Sequence, residues 1–231
     1  MEHLSPEYNE IGKEQALRQQ QWQEIEAEVQ RLADRLGRPI DEHIRAAVVG
    51  LRANGFGTTG SCEGHADRAY PYPWIDVESP ISEAIGNDPR YRELGDKFRN
   101  YTKGGPALTP AEMKEGQRLQ QTMIEENEKA FQRVVGMLKE FYETRLDNPL
   151  GSKFTLSVLK GPRNDARIQP ASGVPFGVRY VDAMKSWSEQ EKRANLQPYR
   201  DEMNKFSDFL RSKFLSVLPR QPDSDPGNHY L

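Results

Sequence analysis

GFGTTGSCEGHADRAYPYPWIDVE, residues 55–78, holds the chain's single cysteine, Cys62, and one of its four histidines, His65. Its punctuation reads as strand, loop, strand. Gly55 stands where a helix would end, and Thr58 to Cys62 form a short strand. Gly64 lets the backbone bend tightly between Glu63 and His65. Pro71 and Pro73 then introduce a second strand, Trp74 to Glu78. There Ile75 and Val77 face one way, while Trp74, Asp76 and Glu78 face the other.

Helices are expected on the N-terminal side of this unit. Asp41 reads as the N-cap of a helix over roughly 42–54, with Ile44, Ala47, Val48 and Leu51 as its buried face. A longer helix over 7–36 carries Trp22, Ile25, Val29, Leu32 and Leu36 at three- and four-residue steps, before Gly37 and Pro39 stop it. That stripe could seat the helix on its own domain or form a coiled-coil seam between copies of the chain.

On the C-terminal side, short helices are expected near 81–86 and 89–101. GGPALTP at 104–110 breaks the chain. Thr109 caps and Pro110 opens a helix to Leu146, with Leu119, Met123, Phe131, Val134, Leu138 and Phe141 on one face and a solvated charged face opposite. Asn148, Pro149 and Gly151 end it. Phe154, Leu156 and Val158 mark a strand, and 166–171 its partner across a turn. FGVRY at 176–180 offers a further short strand. Helices follow near 182–194 and over about 199–217, the last with Met203, Phe206, Leu210, Phe214 and Val217 on one side. Strands and helices do not alternate regularly. The order therefore predicts a helix-dominated α+β fold, a small and largely antiparallel sheet flanked by several long helices. Three parts are expected: a helical segment 1–38, an α+β domain 39–217 and a disordered tail 218–231.

Composition limits the function classes. The 231 residues are 35% hydrophobic and 29% charged, with 32 basic and 35 acidic side chains. The net charge of -3 gives no overall electrostatic case for nucleic acid or an anionic membrane. One cysteine excludes an intrachain disulfide and a four-cysteine zinc site. MEHLSPEYNEIGKEQ lacks the basic and apolar regions of a signal peptide, and no apolar run approaches the roughly 18 residues that span a bilayer. The expectation is a soluble, cytoplasmic protein.

Cys62, Glu63, His65 and Asp67 place four ligands or proton carriers within six residues, leaving a strand for a loop. Three chemistries are open. Cys62 and His65 suit a divalent metal such as zinc, with Glu63, Asp67 or, on the next strand, Asp76 completing the set. Cys62 could be a thiolate activated by His65, or Glu63 or His65 could serve as general base. The TTGS segment could cradle an anion, helped by Lys160, Arg163 and Arg167 if the late hairpin lies beside the first strand. A purely structural role stands beside these, since a lone cysteine is often a small buried hydrophobe. Ser61, Cys62, Gly64, Asp67, Trp74 and Asp76 would line a ligand site, Glu63 and His65 would handle protons, and Cys62 and His65 would hold metal. Tyr70, Tyr72 and Trp74 could stack on a base or sugar or simply pack under helices. His43 could approach His65 or lie in solvent; His3 and His229 fall in the expected tails.

IDEHIRAAVVGLRANGFGTTGSCEGH followed by PWIDV resembles a pattern of bacterial and phage proteins that carry Ser-Cys-Glu-Gly-His after a Gly-aromatic-x-Thr strand. It is also distantly similar to the wybutosine-synthesising tRNA methyltransferase family, whose Thr-Thr-Ser-Ser-Cys-Ser-Gly-Arg aligns with Thr58 to His65. That resemblance implies a similar strand-loop core and carries over Ser61, Cys62 and Gly64. His65 stands where that family has arginine, and Glu63 adds a carboxylate. Two functions follow as expectations. One is a small-molecule, nucleotide or metal site at the Cys-Glu-Gly-His loop. The other is an assembly protein whose long helices bind partners, homo-oligomerising through the N-terminal helix, with a structural cysteine loop.

Overall fold

The computed structural model describes residues 6–33, 37–65, 72–147, 153–159, 164–171 and 187–216. Asp67, Tyr70, Lys160, Arg163, the 176–180 segment, His3, His229 and the tail expected at 218–231 lie outside the described residues. Among the described residues six helices and four strands follow in chain order: α1 Pro6–Arg31, α2 Glu42–Ala53, β1 Gly57–Cys62, β2 Trp74–Glu78, α3 Pro80–Asn87, α4 Pro89–Tyr101, α5 Pro110–Glu143, β3 Phe154–Val158, β4 Ala166–Pro170 and α6 Glu189–Leu215.

The strands make one antiparallel sheet in the order β1-β2-β4-β3. The late hairpin therefore lies beside β2, not beside β1. Ile75, Val77, Ala166, Ile168 and Phe154 are buried and share a core with Ile44, Ala47, Val48 and Leu51 of α2. Phe131, Val134, Leu138 and Phe141 of α5 and Met203, Phe206 and Leu210 of α6 complete it. Period-2 apolar spacing on the strands and helical spacing on their neighbours thus meet on one side of the sheet. Glu78 departs from the outward-facing reading. It is 1% exposed, and the Ser82 hydroxyl of α3 donates to its carboxylate at 3.0 Å. Alternation gives the face of a strand, but a helix laid over that face decides burial.

The apolar stripe of α1 is spent within the chain. Trp22 and Val29 are buried in the core, with Ile25 and Leu32 packed against it. Arg18 fastens the helix by donating to the carbonyls of Phe214 and Ser216 at the end of α6. A Cβ at Gly50 would stand 2.7 Å from Leu210 Cβ, so glycine lets α2 and α6 approach closely.

The two C-terminal helices expected from sequence are, over the described residues, one helix with Pro198 inside it. An interior proline removes one hydrogen bond and costs about 3 kcal/mol. Burial of Leu196, Met203, Phe206 and Leu210 on one face offsets that cost. A capping box of Ser188 and Glu191 starts α6, as Thr109 and Glu112 start α5. Arg145 pairs with the buried Glu202 at 2.6 Å and ties the end of α5 to α6. No helix among the described residues is long and apolar enough to cross a membrane.

Candidate metal centre

The N-terminus of α2 and the end of β1 meet through an exchange of caps. Asp41 occupies the N-cap position, but its side chain makes no capping hydrogen bond to the helix. Glu63 does that work from across the chain: its Oε2 accepts from the backbone N–H of His43 at 3.1 Å. An acidic group at a helix N-terminus is favoured by the unpaired N–H groups there. Asp41 Oδ2, in return, accepts the backbone N–H of Glu63 at 3.3 Å and stands 3.2 Å from His65 Nε2.

Gly64 makes the turn between them. Its φ of +84° lies in the left-handed region that a side chain disfavours. This turn brings His65 back over Cys62. The outcome is a convergent set in which one donor atom each of Asp41, Cys62 and His65 lie within 4.8 Å of one another. Cys62 is deepest, at 7% exposed. The side chains of His65 and Asp41 are 20% and 32% exposed, so the set is reached from solvent on their side.

Arg200 of α6 holds the loop. It donates to the carbonyl of Gly64 at 2.6 Å and to that of Glu63 at 3.3 Å, and approaches Glu63 Oε1 at 3.5 Å. The neighbouring Tyr199 meets Tyr72 edge to face, with ring centroids 4.5 Å apart.

The remaining candidates go elsewhere. Asp76 is held by Arg167 through two hydrogen bonds of 2.6 and 2.9 Å. The Arg167 guanidinium also stacks on Trp74, 3.8 Å from the ring centroid. Gly60 leaves room for that indole, since a Cβ there would be 3.3 Å from it. Trp74 Nε1 is buried with no hydrogen-bond partner among the described residues. Ser61 pairs with Ile75 in the ladder and is half-buried. Glu63 is committed to His43 N–H and Arg200 and is not in the convergent set. The His43 side chain is exposed; the site uses its backbone. TTGS runs extended in β1, unlike the turned run of N–H groups that cradles an anion, and Thr58 accepts from Arg52.

Two residues that meet at this cluster escape the motif. Asp41 reads from sequence only as a helix cap, and Arg200 carries no local signal that sets it apart. Their partners are 24 and 136 residues away, a separation that no local pattern encodes.

A carboxylate, a thiol and an imidazole can serve a divalent transition metal, or form a chain in which Asp41 orients His65 and His65 activates Cys62. One donor atom of each lies within 4.8 Å of the others, a spacing from which a shared cation could draw all three together. No protein-family model, no curated protein and no solved structure matches the chain.

Proposed function

We propose that the chain is a transition-metal protein whose Asp41, Cys62 and His65 hold a divalent cation, zinc being the type. The observation that carries this reading is the mutual approach of three chemically different donors from two chain segments within 4.8 Å. The donor types set the choice of metal. A thiolate and an imidazole favour zinc and its softer neighbours over magnesium or calcium, which take oxygen. The donor count sets the kind of site. Among the described residues three donors converge, and three protein ligands leave a coordination position open, the pattern of catalytic rather than structural zinc.

The cation would polarise a carbonyl or acidify a water there, and the matching reaction class is hydrolysis or lyase chemistry on a small molecule or nucleotide. The chain's own residues divide the remaining work. Asp41 accepts from the Glu63 N–H and so fixes the loop relative to α2. Glu63 holds the N-terminus of α2 and has no proton-transfer role in this reading. Burial of Cys62 limits the access of oxidants to the thiol.

Elemental analysis of untagged protein purified without chelator tests the proposal. Stoichiometric zinc or a neighbouring metal is expected in the parent, and little or none in Cys62→Ser, His65→Ala and Asp41→Asn. Metal-free parent that also fails to take up added zinc or cobalt would remove the reading. Retention of full metal content by all three variants would remove it equally.

A further inference from the structure

Arg200 lies outside the donor set, yet among the described residues its side chain bonds to two successive carbonyls of the loop between Cys62 and His65. Those carbonyls belong to Glu63 and Gly64, the residues whose backbone makes the turn. The planar guanidinium can serve both at once, which a single ammonium cannot do with the same geometry. Its charge also has a local use. If a metal is bound and Cys62 ligates it as a thiolate, Asp41, Glu63 and Cys62 would be three negative groups in one corner, and a divalent cation together with Arg200 would balance them. Tyr199, one residue earlier on α6, grips Tyr72 at the far end of the same connection. One step of α6 thus holds both described ends of the β1–β2 loop.

We infer that Arg200 is a positioning residue of the metal site: by capturing the Glu63 and Gly64 carbonyls it fixes the turn that presents His65 to Asp41 and Cys62. This rests on the metal reading above. Metal affinity then depends on the docking of α6, although α6 supplies none of the three donors. Outer partners of this kind typically change metal affinity by roughly 10- to 100-fold.

Cobalt(II) titration separates the two claims, with the thiolate-to-cobalt charge-transfer absorbance reporting Cys62 ligation. The parent should bind with a tetrahedral-type spectrum. Arg200→Ala should bind roughly 10- to 100-fold more weakly, with its helical circular dichroism retained, and Arg200→Lys should fall between. Val134→Ala, a core change on α5, should lower the melting temperature while keeping the parent's cobalt affinity. Parent-like affinity and spectrum in Arg200→Ala would overturn the positioning role and leave the metal site standing. Equal weakening in Val134→Ala would also overturn it, because general loosening would then suffice. No charge-transfer band in the parent would remove the metal reading, and this inference with it.

Discussion

Asp41 Oδ2 faces both the Glu63 N–H and the His65 ring, so one oxygen couples a helix start to a loop end. That coupling exists only if the chain reverses at Gly64. At a φ of +84° an alanine would cost roughly 1–2 kcal/mol more than glycine. Gly64→Ala should therefore lower the free energy of unfolding by about that amount and, on the metal proposal, weaken cobalt binding more than its stability loss explains, because the strain falls between two proposed ligands. Denaturant unfolding and a cobalt titration measure the two effects, and unchanged unfolding would mean that the turn relaxes freely. At this scale the sequence is half legible. Cys62, Glu63, Gly64 and His65 stand out because rare, reactive residue types cluster around a glycine. Asp41 does not, because an aspartate before a helix already has a sufficient local explanation, and its exchange of partners with Glu63 is a tertiary event.

Elements were more legible than side-chain partners. The strands Trp74–Glu78 and Phe154–Val158 follow from alternation, and the start of α5 from Thr109 and Pro110. The break expected between 194 and 199 is absent from α6, where burial on one face outweighs the interior Pro198. Strand order is also beyond a local pattern, so β4 could not be assigned to β2 in advance. The α4–α5 pair depends on charges instead of a large apolar seam. Lys97 pairs with Glu112 at 2.6 Å, and Arg90 with Glu115 at 2.8 Å, around the buried Leu94. Lys97 foremost, then the Thr109 N–H and hydroxyl, lower the Glu112 carboxyl from the ordinary 4.5 to about 2. A depressed carboxyl contributes stability above its unfolded value, and that contribution disappears as pH falls through the folded one. The parent should thus melt above Glu112→Gln at neutral pH, with the gap closing as pH falls from about 4.5 to about 2. Thermal melts of both proteins across that range measure it. A gap that stays constant to pH 2 would mean that it comes from uncharged cap contacts the glutamine fails to reproduce and that the charge contributes nothing.

At the scale of the molecule, a chain with 35% hydrophobic residues has few apolar faces to spare. The stripe of α1 is where a partner-binding reading and a self-contained fold diverge. Val29 is fully buried in the described fold, and Trp22 is 6% exposed. Arg18 caps the far end of α6, so α1 closes the core over α2 and α6. A polar group at Val29 would then be buried without an obvious partner. Lost apolar burial and desolvation together predict a cost of about 2–4 kcal/mol for Val29→Asn. For a chain of this size that is a fall of roughly 5–15 °C in Tm. A coiled-coil seam predicts a different outcome, a change in mass with a much smaller loss of stability. Thermal melting and light scattering of Val29→Asn therefore decide between them. A lower Tm at unchanged mass places α1 in the core of its own chain. A parent that is oligomeric and a variant that is monomeric with nearly the same Tm would assign the stripe to a second copy. In that case the closure of α1 over α2 would describe a contact made between chains.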